Sequence, residues 1–358
     1  MAKVIVGMSG GVDSAVCAYL LKASGYDVIG VTLKTWVAAD GKESRCCEID
    51  DARLVADQIG IPYYAVNCIT EFHNCVIAPF IDAYINGLTP NPCIGCNRDI
   101  KWARMLEFAK SMQADYIATG HYASVVRLDN GRYSVQKADH TAKDQTYMLY
   151  KLTQEQLAHT LMPLGKLTKE QVRAIAVQSG ISVAQKPDSQ EICFVPEGNY
   201  ADYIEENAEC ELPPEGNFVD EEGKVLGRHK GIIHYTVGQR KGLGIAFGEP
   251  IYVKEIRRET NEVVLASDNA LYCNTVLCGD LNFLSIPTPA VGETIRCRAK
   301  IRYHHTPQEA VLTQLSEDRL QLVFDEPVRA VTPGQSAVFY DANDCVVGGG
   351  LILRENAG

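Results

Sequence analysis

KVIVGMSGGVDS, residues 3–14, decides the fold of this chain. Its first half, residues 3–8, is an apolar run with strand character, and a helical pattern follows from about Asp13 to Lys22. Backbone N–H groups at the start of a helix are unpaired, and together with the helix dipole they favour an anion. The stretch therefore predicts a phosphate-binding loop between the first strand and the first helix.

The residue types in this loop suit phosphate binding. Gly10 and Gly11 let the backbone approach a ligand, Ser9 and Ser14 carry hydroxyl donors, and Asp13 can cap the helix or hold a metal. No lysine follows the glycines, which excludes the G-x-x-x-x-G-K-[ST] loop, and the G-x-G-x-x-G spacing is also missing. A turn that only caps the helix is the alternative. The predicted phosphate-binding residues are Gly7, Met8, Ser9, Gly10, Gly11, Val12, Asp13 and Ser14.

Outward from the loop, strand and helix patterns alternate. This alternation predicts an α/β fold with a doubly wound parallel sheet. Ligands of open α/β sheets lie at the carboxyl ends of the strands, where Leu33 could pack on a base and Gly120 gives backbone access. Core packing or a plain turn is the alternative for each. The predicted strands are residues 26–34, 62–68 and 116–119, and the predicted helices are residues 49–59, 72–85, 100–112 and 168–179.

The second half of the chain has a different pattern. Residues 205–223 are rich in Glu, Pro and Gly, which predicts a linker. Short β-prone runs with turn residues between them follow and predict two small β domains, the last a β-barrel. We expect domains at residues 1–205, 206–275 and 276–358. The β-prone runs are residues 251–256, 263–266, 293–303, 310–315, 320–324 and 336–340.

Length and composition limit the class of protein. With 358 residues, 46% of them hydrophobic, the chain can bury more than one core. It has no apolar run of about 18 residues and no signal-peptide pattern, so we expect a cytoplasmic protein with no membrane partner. Thirteen cysteines, an odd number scattered along the chain, fit a reducing compartment. A net charge of −11 argues against bulk attraction to nucleic acid, although a focused basic surface is compatible with it.

Two segments that contain cysteines stand out. TPNPCIGCNR, residues 89–98, precedes a helical pattern, and its prolines and glycine predict a defined loop. Arg98 and Lys101 should bias the Cys96 thiol toward the nucleophilic thiolate. Cys193 lies in a second proline-interrupted loop near Lys186. Cys96 and Cys193 are therefore our candidate catalytic residues.

The Cys-x-x-Cys spacing of Cys93 and Cys96 has three interpretations: a redox dithiol, half of a metal site, or one nucleophile with a bystander. A structural zinc needs four ligands, and the sequence has no second Cys-x-x-Cys and no paired-histidine motif. Zinc is therefore the weakest of the three. Cys93, Cys96 and Cys193 could instead hold an iron–sulfur cluster with one iron open to another ligand.

A strand pattern at residues 296–303 carries alternating charge. Such a strand has cations on one face, about 6.7 Å apart, and apolar residues on the other. The cationic face could neutralise phosphates of a nucleic acid despite the acidic whole. An ordinary solvated barrel strand is the alternative. The cations are Arg296, Arg298, Lys300 and Arg302, and they alternate with Cys297, Ala299, Ile301 and Tyr303.

The loop SGGVDS resembles that of the PP-loop ATP pyrophosphatases, and the chain as a whole resembles the bacterial tRNA-specific 2-thiouridylase family. The resemblance spans nearly the whole length and rests on seven strings in order. They begin at Gly7 (GMSGGVDS), Asn91 (NPCIGCN), Thr119 (TGHYA), Lys143 (KDQTY), Ser189 (SQEICF), Gly238 (GQRKGLGI) and Pro333 (PGQSAVFYD).

This resemblance implies a PP-loop domain that binds ATP with Mg²⁺ at residues 7–14, Leu33 and Gly120. The implied substrate is a wobble uridine of tRNA, whose carbonyl oxygen at position 2 is adenylated and then replaced by sulfur. A persulfide-carrying donor protein would load Cys193, and Cys96 would attack that persulfide and leave a transient Cys96–Cys193 disulfide. Many relatives have Asp at the position of Cys93, so an iron–sulfur route stands beside the persulfide route.

The resemblance also implies RNA contacts. Asn91, Pro92 and Cys93 would lie near a target base flipped out of the anticodon stack. Two other functions are open: an AMP-forming PP-loop synthetase acting on a small metabolite, and a nonenzymatic iron–sulfur or RNA-binding protein, which would not need the phosphate loop. The further tRNA-binding residues implied are His121, Lys143, Asp144, Gln145, Arg302, Tyr303 and Gln335.

Overall fold

The computed structural model describes residues 1–37, 48–140, 143–187, 192–195, 199–245 and 248–354. The first domain is built on a five-stranded parallel sheet in the order β3-β2-β1-β4-β7, with a separate β5–β6 hairpin. This confirms the predicted α/β class. The strands of this domain are β1 (Lys3–Gly7), β2 (Asp27–Lys34), β3 (Tyr63–Asn67), β4 (Tyr116–Ala118), β5 (Ala123–Arg127), β6 (Tyr133–Lys137) and β7 (Thr160–Leu161).

Helices cover the central strands of the parallel sheet. Six consecutive residues of β2 are buried, which is typical of a strand covered on both faces, whereas β3 lies at the edge and is largely exposed. Among the described residues, no helix is long and apolar enough to span a membrane. The α-helices are α1 (Val12–Ala23), α2 (Ile49–Ile59), α3 (Ile69–Phe72), α4 (Ala78–Ile85), α5 (Pro92–Gly95), α6 (Ala103–Ser111), α7 (Gln154–Ala158), α8 (Lys169–Gln178) and α9 (Tyr200–Asn207).

The strand order reverses direction beside β1. The chain runs from β1 outward to β2 and β3, and then returns to place β4 on the other side of β1. Ile5 of β1 pairs with Ile29 on one side and with Ile117 on the other. Open α/β sheets bind ligands at such a switch point, outside the carboxyl ends of the strands. The predicted phosphate loop lies at this point, directly after β1.

The helix that carries Cys93 and Cys96 begins earlier than the sequence indicates. We expected a loop up to residue 98 and a helix from residue 100, but α5 begins at Pro92 and continues through a π-helical segment, Cys96–Trp102, into α6. Proline suits the first turn of a helix, and Asn91 caps this one by accepting a hydrogen bond from Cys93 N–H at 3.2 Å. The predicted loop is therefore wrong for both cysteines, which are helical.

A second π-helical segment, His73–Ile77, connects α3 to α4 and contacts the first one. The predicted helix at residues 72–85 is thus confirmed, with an earlier start at Ile69. Single π turns inside helices are uncommon and occur often at functional sites. Both segments lie in the part of the domain that holds Cys96.

The second domain is a four-stranded sheet in the order β10-β11-β8-β9. Only its β11–β8 pair is parallel. Because β8 begins at residue 216, the predicted linker at residues 205–223 is in part a strand, and the preceding α9 also overlaps its start. The strands are β8 (Gly216–Val219), β9 (Val225–His229), β10 (Tyr252–Arg257) and β11 (Glu262–Ala266).

The last domain is a closed antiparallel barrel in the order β12-β15-β14-β13-β16-β17, which confirms the predicted barrel. Sequence patterns missed β12 and β17, because the first contains Asn, Gly and Asp and the second contains three glycines. The strands are β12 (Tyr272–Phe283), β13 (Thr294–Lys300), β14 (Gln308–Gln314), β15 (Leu320–Arg329), β16 (Ser336–Tyr340) and β17 (Val346–Ile352).

The barrel docks directly on the first domain. A Cβ on Gly349 of β17 would lie 2.5 Å from the Tyr150 ring, so glycine is what lets that ring lie against the strand. The Ser134 hydroxyl of β6 donates to the Val346 carbonyl oxygen at 2.7 Å, and Arg132 Nε donates to the Leu284 carbonyl oxygen at 2.8 Å. These contacts hold the barrel against the domain that carries the phosphate loop.

Candidate active site

The phosphate loop is organised by its own serines. The Ser14 hydroxyl donates to the Gly11 carbonyl oxygen at 3.0 Å and accepts from Ser9 N–H at 3.1 Å. Gly10 has a φ of +79°, and a Cβ there would lie 2.8 Å from the Glu48 carbonyl oxygen. The loop therefore holds its backbone in one conformation at the start of α1, where an anion is favoured.

Two predicted nucleotide residues lie at the carboxyl ends of β2 and β4. Leu33 is buried in the apolar core near the end of β2. Gly120 follows β4, and a Cβ there would lie 2.7 Å from the Asp13 carbonyl carbon and 2.8 Å from Ser14 N. Backbone atoms cannot yield to such a methyl group, so glycine is required where β4 meets the phosphate loop. Adenine contacts of Leu33 and Gly120 stay predictions.

Asp13 pairs with groups from distant parts of the chain. Lys169 Nζ lies 2.7 and 2.8 Å from its two carboxylate oxygens, and the Tyr122 hydroxyl donates to it at 2.7 Å. Among the described residues no side-chain hydrogen bond caps the start of α1, so the capping role that we considered for Asp13 is wrong. The carboxylate instead connects the phosphate loop to α8 and to the segment after β4.

A second lysine also lies beside the loop. Lys186 Nζ pairs with the carboxylates of Glu48 and Asp51 and lies 3.5 Å from the Gly10 carbonyl oxygen. Sequence reasoning placed Lys186 near Cys193 and found no lysine for the phosphate loop. For Lys169, the other lysine beside the loop, the sequence contains one signal. Lys169 occupies the first turn of α8, where the helix dipole disfavours a cation unless a carboxylate is near.

The two cysteines of α5 and its continuation differ in exposure. Cys93 is exposed, and Cys96 is buried in the apolar core. The pKa of the Tyr303 hydroxyl is raised, first by burial and then by the nearby charges of Asp144 and Cys93. Cys93 therefore lies close to the turn that follows β13. Arg98, which we expected to act on Cys96, donates two hydrogen bonds to Asp99, at 2.7 and 3.0 Å.

Cys193 is half-buried and packs against the same apolar core that contains Cys96. Its neighbour Phe194 anchors the segment, with its ring centroid 5.7 Å from that of Phe72 and 5.2 Å from that of Phe80. Burial raises the pKa of the Tyr203 hydroxyl to about 12, and the Cys193 charge adds to that shift. The structure thus places Cys96 and Cys193 on one core, whereas residues 188–191, which include Ser189 of the SQEICF string, lie outside the described residues.

The candidate iron–sulfur ligands do not form one coordination site. Across the described residues, no group of three or more His, Cys, Asp or Glu side chains could hold a metal ion. Cys93 faces solvent while Cys96 is buried, so their thiols have different environments although they lie three positions apart on one helix. This arrangement does not fit a cluster held by Cys93, Cys96 and Cys193.

His121 follows Gly120 at the end of β4 and is uncharged. Its Nδ1 lies 2.9 Å from the Thr119 hydroxyl, and its ring centroid is 5.4 Å from that of Trp102. Burial, and then the charge of Lys101, lowers the pKa of His121 to about 3. The residue is half-buried, and a neutral imidazole can offer a hydrogen bond and not a charge.

The predicted tRNA residues Lys143, Asp144 and Gln145 have separate surroundings. Gln145 Oε1 accepts from Tyr122 N–H at 2.9 Å, which joins this segment to the phosphate loop through the Tyr122 hydroxyl. Asp144 is buried, and its carboxylate accepts from the Thr146 hydroxyl at 2.8 Å. A buried carboxylate cannot contact RNA without movement, so its contacts here lie within the protein. Lys143 donates its backbone N–H to the His140 carbonyl oxygen at 3.3 Å.

The cations of β13 and the following turn have protein partners. Arg296 pairs with Asp325 and Glu309, and Arg298 pairs with Asp344. Lys300 lies 3.7 Å from Asp144, each side chain only 6% exposed, and burial lowers the pKa of Lys300. Its ammonium group also lies 5.4, 5.6 and 5.9 Å from three ring centroids. Those rings belong to Tyr147, Tyr303 and Tyr340.

Arg302 is likewise engaged, in the turn after β13. Its guanidinium donates to the Val237 and Ala330 carbonyl oxygens, at 3.0 and 2.9 Å, and to the Thr332 hydroxyl. The apolar half of the predicted alternation is confirmed, because Cys297, Ala299 and Ile301 are buried. The cationic half does not form a free phosphate-binding stripe, because carboxylates, carbonyls and tyrosine rings from neighbouring elements surround it. A hydropathy pattern contains no information about such distant partners.

The barrel holds the residues that precede Cys93. Gln335 Nε2 donates to the Thr89 carbonyl oxygen at 2.8 Å, and Thr89 N–H donates to the Pro333 carbonyl oxygen at 2.9 Å. Asn91 Nδ2 lies 3.4 Å from the Met148 sulfur, next to Pro92 at the helix start. The structure therefore places Gln335 beside the segment that leads to Asn91, Pro92 and Cys93, the three residues predicted to lie near one base.

Three families match successive parts of the chain. The family described as "tRNA methyl transferase HUP domain" matches residues 2–197, "tRNA methyl transferase PRC-barrel domain" matches residues 202–267, and "Aminomethyltransferase beta-barrel domain" matches residues 274–352. A tRNA-specific 2-thiouridylase MnmA from Acetivibrio thermocellus is 54% identical, covering 98% of this chain and 99% of that protein. The protein of the same name from Lachnoclostridium phytofermentans is 52% identical, covering 99% of this chain and 100% of that protein. The chain belongs to the tRNA-specific 2-thiouridylase family.

The similarity between this chain and its 2-thiouridylase relatives extends over all three domains and not over the phosphate loop alone. A solved structure, "U34-tRNA thiolase NcsA from Methanococcus maripaludis with its [4Fe-4S] cluster", covers 53% of this chain and 60% of that chain, with a TM-score of 0.35 and 21% identity. A likeness at that level says nothing about substrate or cofactor. Membership of the 2-thiouridylase family rests on the full-length relatives.

Proposed function

We propose that this chain is an ATP-dependent tRNA 2-thiouridylase, which replaces the carbonyl oxygen at position 2 of a wobble uridine with sulfur. The observation that carries the proposal is the presence of a phosphate loop and of two thiols on one core, Cys96 and Cys193, in the same parallel-sheet domain. Full-length relatives at 52% and 54% identity, whose names state this activity, support the choice of substrate. A small-metabolite synthetase would have no use for the two thiols.

The first step activates the base. ATP, entering with Mg²⁺ on its phosphates, binds at residues 7–14, with Leu33 and Gly120 beside the adenine. The carbonyl oxygen of the uridine attacks the α-phosphorus, the bond to the β-phosphate oxygen breaks, and pyrophosphate leaves. The product is an O-adenylated uridine, in which AMP replaces oxide as the leaving group.

The second step delivers sulfur. A donor protein transfers a sulfane sulfur to Cys193, which becomes a persulfide. The Cys96 thiolate attacks the inner sulfur of that persulfide, a Cys96–Cys193 disulfide forms, and hydrosulfide departs. Hydrosulfide attacks carbon 2 of the activated base and AMP leaves with the former carbonyl oxygen. A thiol reductant then restores both cysteines.

We favour the persulfide route over an iron–sulfur route. The support is the unequal exposure of Cys93 and Cys96, together with the lack of a three-ligand metal group across the described residues. Anaerobic iron and sulfide analysis with UV-visible spectra tests this choice in the wild type and in Cys93→Asp. A colourless, fully active wild type supports it, and stoichiometric iron with a charge-transfer band contradicts it.

The RNA contacts follow the barrel side of the domain. Cys93, with Asn91 and Pro92, faces the target base, and its neighbour Tyr303 lies on the turn that follows β13. The barrel domain, residues 276–358, then joins residues 1–205 and 206–275 in holding the tRNA. The other contact residues in this proposal are His121, Lys143, Gln145 and Gln335, whereas Asp144 and Arg302 are held by protein groups and support this surface from within.

A thiolation assay tests the proposal. Purified protein is incubated with MgATP, a persulfide source and unmodified tRNA, and 2-thiouridine is measured by mass spectrometry. Wild type is expected to form 2-thiouridine only with ATP, and Cys96→Ser and Cys193→Ser are expected to form none. Cys210→Ser, which alters an exposed cysteine outside the proposed site, is the control and is expected to keep full activity. Full thiolation by the Ser9→Ala/Asp13→Ala double variant would contradict the ATP-site assignment.

A further inference from the structure

The phosphate loop contains no lysine, yet two ammonium groups lie beside it. Lys169 Nζ lies 2.7 Å from the Asp13 carboxylate, inside the loop sequence itself. Lys186 Nζ lies 3.5 Å from the carbonyl oxygen of Gly10, one of the two loop glycines. Both lysines come from one part of the chain, α8 and the turns that follow it, and α8 packs against α1. One stretch of the chain, α8 with the turns that follow it, thus supplies both cations.

The position of Lys169 is costly for α8 itself. It is the first residue of the helix, where the dipole favours anions, and Thr168 and Gln171 already form a complete capping box. A helix that ended in solvent would gain from an acidic residue at this point. The cation is stabilised instead by Asp13, which lies in the first turn of the neighbouring helix α1.

The two lysines face three carboxylates, those of Asp13, Glu48 and Asp51. Lysine is a compact point charge on a flexible stem, so its ammonium group can exchange one anionic partner for another. The carboxylates hold the ammonium groups at the loop. Mg²⁺ that arrives with ATP would offset the negative charge of these carboxylates.

We propose that Lys169 and Lys186 bind the β- and γ-phosphates of ATP and stabilise pyrophosphate as it leaves. This inference rests on the proposed adenylation of the base. As the uridine oxygen bonds to the α-phosphorus, the electrons of the breaking bond pass to the oxygen that joined the α- and β-phosphorus atoms, which leaves as a terminal oxygen of pyrophosphate. The ammonium groups of Lys169 and Lys186 take that added negative charge in charge-assisted hydrogen bonds. They therefore supply what the lysine of a G-x-x-x-x-G-K-[ST] loop supplies elsewhere.

The test measures pyrophosphate binding directly, because that step needs no tRNA and no sulfur. Isothermal titration of pyrophosphate with Mg²⁺ is compared for wild type, Lys169→Met, Lys186→Met and Lys166→Met. Lys166 is the matched control, an exposed lysine three positions before Lys169. Each charged hydrogen bond that is lost should weaken binding about 10- to 100-fold in Lys169→Met and Lys186→Met. Lys166→Met should stay within about twofold of wild type.

Arginine variants separate charge from fold. Lys169→Arg and Lys186→Arg keep the positive charge and should recover pyrophosphate affinity to within about fivefold of wild type. Thermal melting of every variant shows whether it is folded. Folded Met variants that bind pyrophosphate within about twofold of wild type overturn the proposal.

A measurement on the wild type serves if the Met variants do not fold. Lysines are acetylated with a limiting reagent, with and without MgATP, and the extent at each position is read by mass spectrometry. MgATP should slow acetylation of Lys169 and Lys186 relative to Lys166, and equal slowing at all three positions overturns the proposal. If the wild type binds pyrophosphate as expected but forms no 2-thiouridine, the proposed function fails while the assignment of the two lysines stands. The two failures can therefore be told apart.

Discussion

Strand β13 and the phosphate loop differ in where their cations come from and in what surrounds those cations. The sequence of β13 and its following turn contains four cations, and the fold surrounds them with carboxylates, carbonyl oxygens and tyrosine rings of the protein. The phosphate loop contains no cation, and the fold brings two lysines to it from α8 and the turns after it. A local charge pattern therefore does not predict a phosphate site, because the partners of each charge come from distant segments.

The largest expected effect comes from removing the buried cation at the end of β13. Lys300→Met leaves the Asp144 carboxylate buried without its cation, which should cost about 3–5 kcal/mol of the free energy of unfolding. Urea denaturation of the full chain measures this cost. The double variant Lys300→Met/Asp144→Asn removes both charges and should recover part of the loss. If the single variant loses less than about 1 kcal/mol, Lys300 is as loosely held as a surface cation.

Crowding the phosphate loop should have the next largest effect. The Cβ introduced by Gly120→Ala meets backbone atoms of Asp13 and Ser14, so the loop must shift. We expect a loss of about 1–3 kcal/mol of unfolding free energy and a higher KM for ATP. Gly248→Ala is the control, since a Cβ there has no atom within 4 Å and its effect should lie within about 0.5 kcal/mol. Equal melting temperatures of the two variants would show that β4 does not touch the loop.

His121 is a third case of basic charge, because the fold keeps this group uncharged. Its pKa falls from 6.5 to about 3, so the unfolded chain binds more protons than the folded chain between these values. The resulting stability is complete above pH 6.5 and is lost as the pH falls toward about 3. In His121→Asn the acid loss of unfolding free energy should therefore be smaller, by about 1–2 kcal/mol near pH 5. Identical pH profiles would mean that His121 titrates normally.

The smallest expected effect is on the exposed end of β13. Arg296 pairs with Asp325 and Glu309 at the surface, where each side chain is about half exposed. Arg296→Gln should change the free energy of unfolding by less than about 1 kcal/mol. Its affinity for tRNA, measured by filter binding at two salt concentrations, should match wild type. A tRNA affinity lower by about tenfold, with a weaker salt dependence, would show that Arg296 contacts phosphates of the tRNA, as its sequence pattern indicated.

The sequence was sufficient for features whose signal is local. The run of apolar residues before Gly7, the glycines after it and the alternation of strands and helices predicted the parallel sheet and its loop. The helix start at Pro92 was missed because Cys93 to Cys96 read as a loop held by prolines, although proline is also favoured in the first turn of a helix. Strand β17 was missed because glycines are turn residues in most contexts, whereas here one of its glycines, Gly349, makes room for Tyr150.

The candidate site was predictable where residues adjacent in sequence act together, as in the phosphate loop. It was not predictable where the fold joins distant segments. Lys169 reaches Asp13 across 156 positions, and Gln335 reaches Thr89 across 246. Nothing near Lys169 in sequence marks that contact, except that a lysine begins a helix. Partners of this kind become visible only in three dimensions.

The most direct test of the proposed reaction follows one oxygen atom. A tRNA assembled with ¹⁸O at the position 2 carbonyl of its wobble uridine is incubated with the protein, MgATP and a persulfide source. We predict that this ¹⁸O appears in AMP, one atom for each 2-thiouridine formed, since the base oxygen attacks the α-phosphorus. Thiouridine that forms while the ¹⁸O goes to water or to inorganic phosphate would contradict adenylation of the base.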